Sequence, residues 1–362
     1  MNILILTRSL WNEPPRLRHQ VAELLINNGH HIYFSERPLF LLDMDKRNKN
    51  AVEVSNQLTL IRPYELIHHQ LRVLPVIHYI NSILMIKSLK KQLKVPQTIN
   101  EKPLDLIINF NYDAFWLKKT FPSIPIYTII NDDFESLSRL PFNKHLSWAL
   151  RKSCIFSDKV FAVSQPLVVR LSEWAKTELF LPWSSIKYSE PESRKKRNVI
   201  LFWGYINERL DIDSLIKSLP FLDEFGIRMR FIGPTSDQFG KKAKELLMSF
   251  SNVEWFPVCS FNELITNDCF AAIIPYRINS PGVKAIQLSN KALQLLSLGL
   301  PIIISSMPNF HKATFIKKYD NEENLLHQVA YALSKTFYSL QPEIAQFVSD
   351  NQPESRLKQL IN

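Results

Sequence analysis

IPYRINSPGVKAIQLSNKALQLLSLGLPIII, residues Ile274 to Ile304, carries in one run the grammar of a parallel α/β sheet. It holds the end of an apolar strand (Phe270–Ile274), a polar loop with Pro281 and Gly282, and a helical stretch over Asn290–Leu298. A turn at Gly299 and a second strand over Pro301–Ser305 follow. Ser289 stands where an N-cap belongs. The first N–H groups of a helix form a ready phosphate site. Lys291 puts a cation at that end, which is mildly unfavourable for the helix dipole. A bound anion accounts for it; so does a solvated surface lysine. Gln294 lies on the same face one turn on, placed to bond ribose hydroxyls or to serve as an ordinary helical residue.

Outward from this run the same rhythm recurs. Towards the N-terminus lie strands over Val253–Phe256 and Arg228–Ile232, the latter closed by Gly233 and Pro234. Ser260 and Glu263 form a capping box. A helix over Asp211–Phe225 follows the strand Val199–Trp203, which ends at Gly204. Residues 184–198, SSIKYSEPESRKKRN, turn polar and charged and read as a linker. Before them, strands are predicted over Asn2–Leu6, His31–Phe34, Leu104–Asn109, Ile126–Ile130, Lys159–Val163 and Glu178–Leu181. Helices are predicted over Arg16–Asn27, Asp113–Phe121, Asn143–Phe156 and Pro166–Trp174, the first closed by Gly29.

Alternation of this kind implies parallel sheets covered on both faces. The expected architecture is α/β, with two doubly wound Rossmann-like domains facing across a cleft. Their expected limits are 1–183 and 199–345, with 346–362 as a C-terminal helix packing back on the first domain. A chain of 362 residues exceeds what one core sustains, which fits two domains. Ligands of such sheets bind outside the carboxyl ends of the strands.

Composition excludes several classes. Hydrophobic residues make up 46% and charged ones 22%, so long disorder is not expected. No signal peptide is visible at the start, and no run reaches the roughly 18 apolar residues of a membrane span. Cys154, Cys259 and Cys269 show no CxxC spacing, which argues against a disulfide framework or zinc site and fits a reducing cytosol. Only seven glycines occur and no GxGxxG follows the first strand, which disfavours a dinucleotide-binding dehydrogenase. The net charge of +10 suits an anionic partner, or is a solvated surface excess of lysine. No nucleic-acid-binding motif is present, so nucleic acid is not an expected partner.

The order of these pieces resembles the group-1 GT-B glycosyltransferases, in particular the branch near teichuronic-acid and exopolysaccharide transferases. The likeness rests on Pro275-Tyr276-Arg277, Lys291, Gln294, Ser297, Gly299, Pro301 and Ile302–Ile304. FWGYINERLDIDSLIKSL, MRFIGP (229–234) and NVEWFPVCSFNEL resemble the family's successive units. In the first half, WNEPPRLRHQVAELLINNGHHIYFSERP, IYTIINDDFESL and SDKVFAVSQPLVVRL do the same. The resemblance covers nearly the whole chain. It implies transfer of a sugar from a nucleotide-sugar co-substrate to a surface or envelope glycan or a lipid-linked acceptor, with no cofactor and no metal. It also implies a cytoplasmic protein, peripheral on the inner face of the plasma membrane.

This chain departs from the family at the donor contacts. The pair of acids is replaced by Ile286 and Gln294, the arginine after the strand-end glycine by Tyr205, and the lysine beyond it by Leu210. Donor-binding candidates are therefore Gly204, Arg209, Arg277, Lys284, Asn290, Lys291 and Gln294, the cations serving a departing diphosphate. Loss of the acids equally suits a degenerate domain that binds glycan or a partner transferase without catalysis.

On the first domain, Asp132 and Asp133 follow a strand end. They read as a general base for the acceptor hydroxyl, as hydrogen-bond partners of a sugar, or as a turn with an Asx cap. Arg8, Ser9, Trp11 and Arg16 are the acceptor-side candidates; for Arg16 and Arg18, which open the next helix, solvent exposure is the plainer account. His68–Lys94 joins an apolar body to a basic tail, as a helix packed on the sheet or a segment lying on an anionic membrane.

Overall fold

A computed structural model describes the whole chain except residues 14–15, 42–49, 69–70, 72, 94–103, 138–142, 185, 193–195, 236–237, 306, 320–324 and 362. It divides into two compact units: unit 1 is Met1–Leu181 with Pro353–Asn362, and unit 2 is Pro182–Gln352.

Unit 1 begins β1 (Asn2–Leu6), α1 (Leu17–Asn27), β2 (His31–Ser35), β3 (Leu39–Phe40), β4 (Val52–Ser55), β5 (Leu58–Ile61), β6 (Tyr64–Glu65) and α2 (Pro75–Leu93). It continues with β7 (Leu106–Asn109), α3 (Leu117–Thr120), β8 (Ile126–Ile130), α4 (Phe134–Leu137) and α5 (Asn143–Ile155). β9 (Lys159–Ala162), α6 (Gln165–Leu171) and β10 (Thr177–Leu179) complete this stretch. The sheet order is β10-β9-β8-β7-β1-β2-β5-β4, parallel but for the antiparallel β4–β5 hairpin. Residues Ile3 to Leu6 are fully buried, as a strand covered on both faces requires. Order reverses between β1 and β7, whose carboxyl ends flank the crevice where ligands of such sheets bind.

Helix α2 explains an oddity of composition. Met85, Leu89 and Leu93 join the core beneath the sheet, yet Asn81, Ser88 and Gln92 are buried with them. Asn81 Oδ1 accepts from Leu66 N at 2.9 Å, Ser88 Oγ from Tyr64 N at 2.9 Å, and Gln92 Oε1 from Arg62 N at 2.9 Å. These polar groups satisfy the backbone of residues 62–67, which buried amides require. The opposite face exposes Val76, Tyr79 and Ile80. So one face of α2 is core, and the other keeps its apolar side chains outward.

Unit 2 runs β11 (Val199–Trp203), α7 (Ile212–Glu224), β12 (Arg228–Ile232), α8 (Gln238–Leu247), β13 (Val253–Phe256), β14 (Cys269–Ile274), α9 (Asn290–Ser297) and β15 (Ile302–Ile304). β16 (Ile316–Lys318), α10 (Leu325–Thr336) and α11 (Gln341–Asp350) close it; α12 (Glu354–Ile361) belongs to unit 1. Its sheet is β13-β12-β11-β14-β15-β16, parallel throughout. The switch point lies between β11 and β14.

The segment read as a linker is not a free spacer on its described residues. Ser184 is buried and its hydroxyl meets Ser297 Oγ at 2.6 Å, Tyr188 donates to Gln341, and Arg197 donates to Thr266 and Cys269 carbonyls. Its polar composition serves hydrogen bonds to unit 2. On α12, Arg356 donates to Leu181 O and Gln359 to Leu179 O, both within unit 1. The helix expected over Asp113–Phe121 contracts to the single turn of α3, because Asp113 to Trp116 fold as successive tight turns.

Candidate functional site

The switch point of unit 2 is built by two glycines and a lysine. Gly204 ends β11 at φ 144° and Gly233 ends β12 at φ 149°, a region side chains rarely adopt. A Cβ on Gly233 would stand 2.0 Å from Gly204 O, so the two strand-end loops touch backbone to backbone. Gly204 N donates to Ile232 O at 2.9 Å and locks that approach. On its other side Gly204 faces Lys291: a Cβ there would lie 2.3 Å from Nζ. The ammonium also rests 5.3 Å from the Phe202 ring centroid.

Lys291 reaches this point because α9 starts one residue earlier. Ser289 caps the helix, its Oγ accepting from Ala292 N at 3.2 Å. Asn290 opens the first turn, and Gln294 lies half-buried one turn on. The sequence run thus joins a helix N-terminus, an ammonium and a strand-end glycine at one place. An anion is attracted there by the dipole and the charge together.

Arg209 and Arg277 form a second group. Arg277 N donates to Arg209 O at 2.8 Å, and Leu210 bridges to Tyr276. The Arg209 guanidinium lies 5.7 Å from the Tyr276 ring and donates from Nη2 to Pro281 O at 3.2 Å. Its Nε is buried and finds no hydrogen-bond partner among the described residues. Arg277 is turned differently: Nε donates to Leu210 O at 2.9 Å and Nη2 to Asp213 at 3.1 Å. Its charge is already matched by an acid at the start of α7. Lys284 is exposed, and its carbonyl accepts from Asn309.

In unit 1 the acidic loop separates its two members. Asp133 is buried, accepts from Ser136 N and Oγ at 3.2 and 2.7 Å, and pairs with Arg170 at 2.8 Å. Burial pushes this carboxyl up, but the Ser136 and Arg170 bonds prevail and hold it below the ordinary range. A carboxylate so held is a weak base. Asp132 is half-exposed, and its Oδ1 accepts from Asp133 N at 2.9 Å. The partner that fixes Asp133, Arg170, lies 37 residues on, and nothing local in the sequence announces it.

The remaining candidates are held largely by internal bonds. Arg8 makes a two-pronged pair with Glu65, at 2.7 and 3.2 Å, with the acid 2% exposed. Ser9 is only 1% exposed; its amide donates to Thr7 and its carbonyl accepts from Arg37. Ser9 therefore supports the loop from inside and does not line an open surface. Trp11 packs edge-on against Phe34 and tilts against His19. Arg16 is exposed at the N-cap of α1. Sequence reasoning missed Glu65, His78 and His145; the two imidazoles meet at 2.8 Å, with His78 also 3.7 Å from Asp113. Among the described residues no group of three or more His, Cys, Asp or Glu is placed to hold a metal ion, and no helix is long and apolar enough to cross a membrane.

No family model matches the sequence, and no curated protein does. Solved structures do. WaaG, a glycosyltransferase involved in lipopolysaccharide biosynthesis, matches all of both chains at TM-score 0.63 with 14% identity. The lipopolysaccharide outer core galactosyltransferase WaaB matches 96% of this chain and 95% of its own at TM-score 0.60 and 12% identity. Anabaena HepE, solved with UDP and glucose, matches 96% and 98% at TM-score 0.60 and 10% identity. With two parallel Rossmann-like sheets and likeness over the full length, the chain has the fold of the GT-B glycosyltransferases.

Proposed function

We propose that this protein transfers a sugar from a nucleotide-sugar donor bound on unit 2 to a glycan or lipid-linked acceptor bound on unit 1, without a metal or cofactor. One observation carries the reading: the Lys291 ammonium meets Gly204 at the β11–β14 switch point, beside the N-terminus of α9. A diphosphate there is balanced by Lys291 and the first turn of α9, with Gln294 toward the ribose. Arg209, whose buried Nε awaits an acceptor, adds a second cation. Lys284 and Asn290 complete the donor side, while Arg277 stays paired with Asp213. On the acceptor side we assign the base to Asp132, with Asp133 as its positioning partner; Trp11 and Arg16 are the acceptor-side candidates, and Arg8 and Ser9 hold their loop from within.

Glycan-active neighbours, among them HepE solved with UDP and glucose, support this chemistry. The teichuronic-acid and exopolysaccharide branch is the proposed affiliation, and the cytosolic face of the membrane the proposed location. The exposed face of α2, with Val76, Tyr79 and Ile80 running into Lys87, Lys90 and Lys91, suits an anionic lipid surface. Flotation with anionic but not zwitterionic liposomes is the expected behaviour, and indifference to lipid charge removes the membrane from the proposal.

Titration calorimetry with a panel of nucleoside diphosphates tests the donor site. Lys291→Ala is expected to weaken binding roughly 10- to 150-fold, the worth of a charge-assisted hydrogen bond, and exposed Lys187→Ala not at all. Equal effects refute the placement. Ile286 and Gln294, standing where the family carries acids, favour a second reading as a non-catalytic binding subunit. It predicts diphosphate or glycan binding without turnover.

A further inference from the structure

A cavity of about 260 Å³ lies in unit 1 beside the acidic loop, outside every candidate residue so far considered. Its wall is an aromatic pair. Tyr112 follows β7 and Phe134 follows β8, and their rings stack at 4.1 Å between centroids and 23° between planes. Both strands are neighbours in the sheet, and both rings stand beyond the carboxyl ends, where such sheets take ligands. Leu146 and Leu150 of α5 are its buried apolar members. Polar groups complete the lining: the Glu135 carboxylate, the Ser147 hydroxyl and the exposed Lys144 ammonium.

Glu135 is not adrift. It accepts from Ser147 Oγ and lies 3.4 Å from Arg170 Nε, the arginine that also holds Asp133. A shared guanidinium thus fixes the carboxylate of the cavity and the carboxylate of the acidic loop together. Fixed polar groups bind ligands with less ordering cost.

From these features we infer that the cavity is a saccharide subsite that takes one pyranose ring of the acceptor. The inference rests on the glycosyltransferase reading and names the acceptor's chemistry. A pyranose offers an apolar C–H face for the aromatic wall and hydroxyls around its rim. Glu135 and the Ser147 oxygen, whose own proton goes to Glu135, accept from those hydroxyls; Lys144 donates to them. Lys144 adds a preference for a ring bearing a carboxylate or phosphate over a neutral one.

Saturation-transfer NMR on the full chain, with neutral hexoses and a uronic acid as probes, tests this. UDP binding on the same samples monitors the donor site independently. Phe134→Leu keeps an apolar side chain but removes the ring, and is expected to weaken monosaccharide binding roughly three- to tenfold with UDP binding unchanged. Lys144→Gln, on an exposed position, is expected to erase the preference for the uronic acid and spare neutral hexose. The subsite is overturned if wild type binds none of the sugars, if both variants bind them as wild type does, or if UDP displaces them. Sugar binding that follows these variants in a protein that ignores UDP supports the subsite and removes the donor reading instead.

Discussion

Replacing Gly204 by alanine perturbs two things at once, and the structure separates them. The backbone at φ 144° is a conformation that a side chain occupies at a cost of about 1–3 kcal/mol. It cannot relax toward β12, because Gly204 O already stands where a Gly233 Cβ would clash at 2.0 Å. The new methyl also stands 2.3 Å from Lys291 Nζ, so the flexible lysine tip must leave its place over Phe202. The first effect is a stability loss. At about 2–4 °C per kcal/mol for a domain of this size, it lowers the melting temperature by roughly 2–12 °C. The second is a binding loss, about as large as that of removing the ammonium, roughly 10- to 150-fold in Kd for a nucleoside diphosphate. Thermal unfolding and titration calorimetry on wild type, Gly204→Ala, Lys291→Ala and the double variant form a cycle. The binding losses are expected to be strongly non-additive, since both substitutions remove one contact, while the Gly204→Ala melting shift persists in the double variant. Fully additive binding losses, or diphosphate affinity untouched by Gly204→Ala, refute the idea that glycine and lysine form one site.

Other outcomes follow from the bonding in unit 1 and from the cap of α9. Buried His19 accepts from Arg16 N at Nδ1 (3.1 Å), so Nε2 carries the proton and donates to Leu10 O at 3.0 Å. Burial first, and the Arg18 and Arg16 charges after it, lower its protonation below the ordinary range against the Leu10 bond and Glu13. The unfolded chain then takes up the proton more readily. Stability is full above about pH 6.5 and falls as pH drops through that value. Melting curves from pH 7 to 5 are expected to fall more steeply for wild type than for His19→Gln, and parallel slopes count against the assignment. Glu65→Ala strands the mostly buried Arg8 guanidinium and is expected to cost about 3–5 kcal/mol in denaturant unfolding, much of which Arg8→Met/Glu65→Leu restores. Ser289→Ala removes the bond to Ala292 N and is expected to cost about 1 kcal/mol, whereas Ser289→Gly costs only a few tenths. Equal losses in the two show that the cap is not what Ser289 supplies.

Some of this was legible in the chain itself. Local signals placed β1, β8, β11, β12 and β13 to the residue, because parallel strands buried on both faces read as short unbroken apolar runs. The Ser289 cap and the Ser260–Glu263 capping box are contacts within three residues, so spacing alone reveals them. The β4–β5 hairpin, α8 and α10 escaped notice, their patterns being weaker than those of the central strands. The polar interior of α2 was readable only as interruptions of an apolar run, since its partners are backbone amides 14 to 30 residues away.

By itself, then, the sequence determined what short range can determine: apolar runs, caps, strand-end glycines and the alternation that makes two parallel sheets. It could not decide which charged side chains face a ligand. Arg8, Asp133 and Arg277 look alike to Lys291 as unmatched charges in the chain, yet the fold pairs them with Glu65, Arg170 and Asp213. Lys291 instead comes to Gly204 from 87 residues away, and Tyr112 meets Phe134 across two strand ends. Side-chain pairing over such separations depends on how the sheets order their strands. Only the tertiary structure fixes that order.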